Sequence, residues 1–162
     1  AGDHDRNGEI SAKGRVNQVW LEKALTHPFF KRPGPKSLDR NAFALDLDSE
    51  TSLQDGAATL AAFTAAAVAR SVSLLPSDPK LWIVCGGGRL NPTLMRELGE
   101  RLTGDVVPSD RYDIDGDALE AQAMAFLGAR LKAGLPTSYP ETTGAREPVV
   151  GGRLFAPKSQ SA

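Results

Sequence analysis

Apolar residues recur along this chain with two different periods, and turn residues mark where one period gives way to the other. Asn17 stands before Val19, Trp20, Ala24 and Leu25, a spacing that predicts a short capped helix ended by His27-Pro28. A proline-punctuated loop follows: Pro28-Phe29-Phe30-Lys31-Arg32-Pro33-Gly34-Pro35-Lys36-Ser37. Ser52 is placed to cap a longer helix, with Leu53, Ala57, Leu60, Phe63 or Thr64, and Ala67 as its stripe. The alanine content of that helix permits close backbone approach to whatever packs on it. Pro76-Ser77-Asp78-Pro79 then reads as a turn.

Leu81-Trp82-Ile83-Val84-Cys85 is a continuous apolar run, which predicts a strand buried on both faces. Gly86-Gly87-Gly88 breaks it. Asn91 caps the next helix with Pro92 in its first position, and Leu94, Met95, Leu98 and Leu102 form the stripe. Val106-Val107 suggests a second short strand. A last long helix is predicted over residues 117–133, with Ala123, Phe126, Leu127 and Leu131 inward, stopped by Gly134 and Pro136. Extended segments at Pro148-Val149-Val150 and Leu154-Phe155 close the chain. Strands alternating with helices, and no internal repeat, give the fold class α/β.

Composition narrows the function classes. The 162 residues are 41% hydrophobic and 24% charged, which is the balance of a folded domain. The net charge of −1 leaves no concentrated basic surface, since Lys31-Arg32, Lys36 and Arg40 are short clusters. Nucleic acid is therefore not an expected partner. Cys85 is the single cysteine, so no intrachain disulfide forms, and its apolar surroundings suit a buried thiol in a reducing cytoplasm. No run reaches the about 18 apolar residues of a spanning helix, and the N-terminus lacks signal-peptide order, so no membrane partner is expected. The chain opens without Met on the turn-forming Gly2-Asp3-His4-Asp5-Arg6-Asn7-Gly8, as expected of a segment of something longer.

The strand, three glycines and helix over residues 81–102 form the sharpest local feature. Glycines admit a ligand to the backbone, and the helix aims N–H groups and its positive end at the same place. A phosphate or nucleotide would suit; so would a tight turn with no ligand. The Rossmann pattern fits in part, because Asn91 stands where its third glycine belongs, while Asp105 and Asp110 lie near the acidic position. The P-loop is excluded by the lack of Gly-Lys-Ser or Gly-Lys-Thr. Asp113, Asp115 and Asp117 alternate like calcium ligands, yet Ala118 and Met124 occupy the required glycine and glutamate positions. That acidic cluster instead favours the N-terminus of the helix it precedes. Glu120 shares a stripe with Met124, Leu127 and Leu131, so its carboxylate is either solvated at the rim or turned into a cleft. His4 and His27 are far apart, no transition-metal spacing is present, and there is no nucleophile elbow or triad signature.

Several blocks in order resemble the second half of the anhydro-N-acetylmuramic acid kinases. They are Pro35-Lys36-Ser37-Leu38-Asp39-Arg40, then Ala57-Ala58-Thr59-Leu60-Ala61-Ala62-Phe63, then Cys85-Gly86-Gly87-Gly88-Arg89-Leu90-Asn91-Pro92. Asp117-Ala118-Leu119-Glu120-Ala121-Gln122-Ala123, Gly134-Leu135-Pro136 and Thr143-Gly144-Ala145-Arg146-Glu147-Pro148 complete the series. The resemblance implies an actin/hexokinase-like (ribonuclease H-like) fold of two lobes, with residues 1–162 as the C-terminal nucleotide-binding lobe. It implies ATP with Mg2+ as cofactor, an anhydro-amino-sugar substrate, an N-terminal lobe as partner, and phosphorylation of O6 coupled to ring opening by water. Gly86, Gly87, Gly88 and Asn91 would line the nucleotide, Glu120 would face the sugar, and Lys36 and Ser37 would lie in a loop near the cleft. The family's N-terminal phosphate loop and general-base aspartate have no counterpart here, so no catalytic residue is expected in this chain and no turnover from it alone. A Rossmann-type oxidoreductase domain, a non-catalytic nucleotide- or sugar-sensing domain, and a homodimer remain open.

Overall fold

The computed structural model describes residues 4–39, 43 and 46–155. Arg40, at the end of the loop over residues 35–40, and Gly2 and Asp3 of the opening turn lie outside them. In chain order the elements are α1 (Gln18–Ala24), α2 (Leu53–Ser71), β1 (Leu81–Val84), α3 (Pro92–Arg101), β2 (Asp105–Pro108), α4 (Leu119–Lys132) and a single turn, α5 (Pro140–Thr143). Two compact units hold them: Ala1–Gly34 with Leu38–Leu119, and Pro35–Ser37 with Glu120–Ala162.

The predicted caps are in place. The Asn17 side chain accepts from the Trp20 amide at 3.0 Å, Ser52 Oγ from the Asp55 amide at 3.1 Å, and Asn91 Oδ1 from the Leu94 amide at 3.0 Å. Each satisfies an N–H that the first turn of a helix leaves without a partner. Pro92 follows its cap at the first helical position, where its missing N–H costs nothing.

α2 organises the first unit through its small residues. Gly56, Ala58, Thr59, Ala62, Phe63, Ala65 and Ala66 are buried, and this corrects the predicted stripe, of which Leu53 and Leu60 are exposed. The helix is apolar on nearly every side, so pattern alone gave no direction; the neighbours chose the side whose small residues let them come closest. On one flank Ala62, Phe63 and Ala66 join Leu21 of α1, with Val16, Trp20, Phe30 and Phe43 around them. Phe63 takes edge contacts from Trp20 at 5.7 Å and Phe43 at 5.6 Å between ring centroids, the arrangement aromatic quadrupoles prefer. On the other flank Ala65 meets Leu98 and Leu102, backed by Trp82, Val84, Leu94 and Val106. Thr59, fully buried, donates to the Asp55 carbonyl at 2.7 Å and accepts from the Asn17 amide at 2.9 Å, so its hydroxyl is satisfied in both senses. By length and composition residues Leu53–Leu74 could cross a membrane, but their small-residue face is packed against protein.

β1 and β2 pair in parallel, Trp82 opposite Val106 and Ile83 opposite Val107, with α3 as the crossover. Gly104 adopts φ +92°, and a Cβ there would lie 2.7 Å from the carbonyls of Pro79 and Lys80, so the approach to β2 requires glycine. The strand predicted to be buried on both faces is only half covered: Trp82 and Val84 face α2 and α3, while Leu81 and Ile83 are exposed. α2 and α3 cover one face; on the other, Val107 of β2 is buried while its partner Ile83 in β1 stays exposed. Cys85 is accordingly half-buried rather than in the core.

In the second unit, α4 spans nearly the predicted length but contains no buried residue. Ala123 and Phe126, expected to face inward, are exposed; Leu127 and Leu131 are half-buried. Within the unit, Arg130 donates to the Pro136 carbonyl at 2.6 Å and lies over the Phe126 and Tyr139 rings at 5.6 and 5.9 Å. The tail near Val149 pairs with Ser138 in an antiparallel bridge.

Candidate functional site

The carboxyl end of β1 runs into the three glycines. Gly86 has φ +71°, a conformation that glycine alone adopts without strain, and it starts a 3-10 turn over Gly87–Leu90. The turn's own bonds begin with Arg89 N–H to the Gly86 carbonyl at 3.2 Å and continue with Asn91 N–H to Gly88 at 3.1 Å. The N–H groups of Gly87 and Gly88 precede the first such bond, so the turn itself cannot satisfy them.

Gly87 is the informative glycine. Its φ is not positive, and a Cβ added to it would meet no protein atom within 4 Å. Neither backbone strain nor packing inside the chain demands glycine there. At Gly88 a Cβ would press on Leu94 Cδ2 at 3.1 Å, so packing against α3 explains that one.

Arg89 holds the loop from beneath. It is buried, and its guanidinium pairs with Asp110 (Nε to Oδ2, 2.7 Å) and with Asp117 (Nη1 to Oδ1, 2.7 Å) while also donating to the Gly86 carbonyl at 3.0 Å. Hydrogen bonds from Arg89 hold both aspartate carboxyls below the usual carboxylate range, and the same bonds raise the guanidinium above its already high value. The Gly86 N–H donates to the Gly116 carbonyl at 3.0 Å, which ties the loop to the segment before α4. A Cβ on Gly116 would sit 2.6 Å from Arg89 Nε and from Ser109 Oγ, so this corner is packed to the backbone. Nothing in the sequence pattern singles out this role for Arg89. Its partners lie 21 and 28 residues on, and the one available signal was a lone arginine among glycines ahead of the acidic run over residues 110–117.

Asn91, expected to line a ligand, spends its Oδ1 on the cap of α3 and sets its Nδ2 3.5 Å from Asp5. Asp5 also accepts from the Ile10 amide at 2.7 Å and from Ser11, which fastens the opening turn to the same corner. Of the alternating aspartates, Asp115 accepts from the amides of Asp117 and Ala118 at 2.9 and 3.1 Å, which closes the turn that leads into α4.

A family model described as anhydro-N-acetylmuramic acid kinase matches residues 1–157. The anhydro-N-acetylmuramic acid kinase of Rhodospirillum rubrum is 50% identical over 151 residues, 93% of this chain and 40% of that protein. That of Rhodopseudomonas palustris is 51% identical over 154 residues, 94% of this chain and 42% of its own length. That of Mesorhizobium japonicum is 46% identical over 153 residues. The chain belongs to the anhydro-N-acetylmuramic acid kinase family. It spans about two fifths of the length of these relatives, 40% in the first.

Within the kinase family's expected site, the structure brings Gly86, Gly87, Gly88 and Asn91 together at the end of β1 in the first unit. Glu120 lies in the first turn of α4, exposed, and belongs to the second unit with Lys36, half-buried, and Ser37, exposed. Among the described residues no three His, Cys, Asp or Glu side chains gather as a metal cage. Magnesium that accompanies a nucleotide is commonly held by the phosphates and a carboxylate or two rather than by such a cage, and Asp110 and Asp117 are committed to Arg89.

Proposed function

We propose that this chain is the C-terminal nucleotide-binding lobe of an ATP-dependent kinase acting on 1,6-anhydro-N-acetylmuramic acid. The reaction is phosphorylation of O6 coupled to opening of the anhydro ring by water, yielding N-acetylmuramic acid 6-phosphate for the recycling of cell-wall sugars. Family membership supports the chemistry, and the lobe would adopt half of an actin/hexokinase-like fold with ATP between two lobes. The phosphate loop and general base of the other lobe would come from the part of the longer relatives that this chain does not span.

Gly87 carries the assignment of the nucleotide to this face. A glycine that nothing within the protein requires, flanked by N–H groups its own turn leaves free, fits a backbone that phosphate oxygens must approach closely. Its place at the carboxyl end of a parallel strand is where α/β sheets bind ligands. In this reading Gly87 and Gly88 offer amides to the phosphates, Gly86 lines the nucleotide as the turn's held first residue, and Asn91 fixes the start of α3 behind them. Glu120 would orient the sugar, and Lys36 and Ser37 would belong to a loop bordering the substrate. The family membership gives no support to a Rossmann-type oxidoreductase.

Titrating the labelled chain with magnesium-ADP, and separately with NAD, while following backbone amides tests this directly. ADP-selective shifts at residues 86–91, weakened in Gly87→Val, are the expected result. An unshifted loop, or an affinity unchanged by Gly87→Val, would remove the nucleotide from this face.

A further inference from the structure

An arginine beside a phosphate-binding loop is ordinarily a phosphate ligand. Arg89 is not free to be one. A guanidinium has five N–H donors, and here there are five bonds: Nε to Asp110 Oδ2 at 2.7 Å, Nη2 to Asp110 Oδ1 at 3.4 Å, Nη1 to Asp117 Oδ1 at 2.7 Å, Nη2 to Asp117 Oδ2 at 3.1 Å, and Nη1 to the Gly86 carbonyl at 3.0 Å. The side chain is also nearly fully buried, with 5% of its surface exposed, whereas its two aspartates are mostly solvent-facing.

We propose that Arg89 is the positioning residue of the triglycine loop, holding its amides where nucleotide phosphates are received without touching the nucleotide. This rests on the nucleotide reading given above. Gly86 is gripped at both of its backbone groups, its carbonyl by Arg89 and its N–H by the Gly116 carbonyl. The segments that supply Asp110, Gly116 and Asp117 are thereby joined to the loop, and a shift of the loop breaks a charged fork rather than a single neutral bond. Loop amides presented in one fixed geometry spare the ligand the ordering cost it would otherwise bear.

The test uses the whole chain, magnesium-ADP as probe, and the variants Asp117→Asn, Asp117→Glu and Arg89→Lys. Asp117 is 71% exposed, so Asp117→Asn should melt close to wild type. Its dissociation constant for magnesium-ADP should nevertheless rise about 2- to 30-fold, the range for residues that act without touching the ligand, and hydrogen exchange at the Gly86 amide should quicken. Arg89→Lys keeps the charge but loses the fork and should weaken binding as well; Asp117→Glu should restore most of the affinity. Wild-type affinity in both Asp117→Asn and Arg89→Lys, with Gly87→Val still impaired, would overturn the positioning role and leave the nucleotide face standing. A crystal structure of the magnesium-ADP complex with the Arg89 guanidinium bonded to a phosphate oxygen would also overturn it, by making Arg89 a ligand. A wild-type chain that shows no magnesium-ADP shifts at all sinks the nucleotide reading and this inference together.

Discussion

Two helices of this chain, α2 and α4, draw on the same alanine-rich composition and meet opposite fates. α2 buries seven residues, most of them alanine, glycine or threonine, and joins both core clusters of the first unit. α4 buries none, and leaves Met124 and Phe126 68% and 62% exposed. Alanine content therefore does not decide burial; it only sets how near a neighbour comes once one is present. α2 has neighbours on two flanks, and at its first turn the backbone at Gly14 comes against the Gln54 carbonyl. α4 is ordered instead at its margins, by Asp115 at the residues leading into it and by Arg130 near its end.

The strongest way to break the contrast is to forbid that backbone approach. A Cβ on Gly14 would overlap the Gln54 carbonyl at the start of α2, and backbone cannot rotate aside as a side chain can. Gly14→Ala is expected to destabilise the chain by about 3 kcal/mol, the upper end for overpacking, in urea unfolding. A loss under about 1 kcal/mol would show that the α2 contact yields, and that its burial depends less on close approach than its small residues imply.

The next effect tests whether α2's one fully buried hydroxyl is structural. Thr59→Val keeps the shape but leaves the Asn17 N–H without its acceptor. A cost of about 0.5–1.5 kcal/mol is expected, that of losing one ordinary hydrogen bond. An unchanged unfolding midpoint would mean water replaces the hydroxyl, and that the junction of α1 and α2 is looser than its 2.9 Å bond suggests.

α4 should respond in the other direction. Gly128 lies inside the helix with no atom within 4 Å of the position its Cβ would take and no positive φ. Gly128→Ala should stabilise by about 0.5–1 kcal/mol through backbone entropy alone. A destabilised variant would show that the face of α4 at Gly128 is closely covered in solution, and the contrast with α2 would shrink.

These differences also mark what was legible in the sequence. Asn17, Ser52 and Asn91 were readable as caps because a cap is satisfied within three residues, and β1, β2 and the triglycine turn were readable for the same local reason. The buried face of α2 was not, since a helix apolar all round carries no preferred direction and Leu53 and Leu60 fit the period as well as Ala62 does. The exposure of Leu81 and Ile83 was hidden because an apolar run reports suitability for burial, not the presence of a cover. In the candidate site the glycines were visible, but the Arg89 fork joins segments far apart in sequence, and pattern reading has no distance to work with there.

The smallest effect separates the two kinds of order by pH. Packing around Ala62 and Ala65 involves no titrating group, whereas the segment leading into α4 is held by Asp117 on Arg89. Hydrogen bonding and then charge attraction from Arg89 depress the Asp117 pKa in the folded chain. A depressed carboxylate contributes stability that is fully present above its unfolded pKa, about 3.9, and is lost as pH falls through the lower folded value. Wild type should therefore exceed Asp117→Asn in melting temperature by a small, constant margin at neutral pH, small because Asp117 is 71% exposed and its pairing is screened by water and salt. That margin should close as pH drops below about 3.9, and added salt should narrow it at neutral pH. The deficit of Thr59→Val should stay flat across the same range, since no titrating group takes part in its bonds. A margin for Asp117→Asn that persists unchanged into acid would mean the carboxylate acts by shape rather than charge, and the division between a packed α2 and an electrostatically fastened entry to α4 would have to be redrawn.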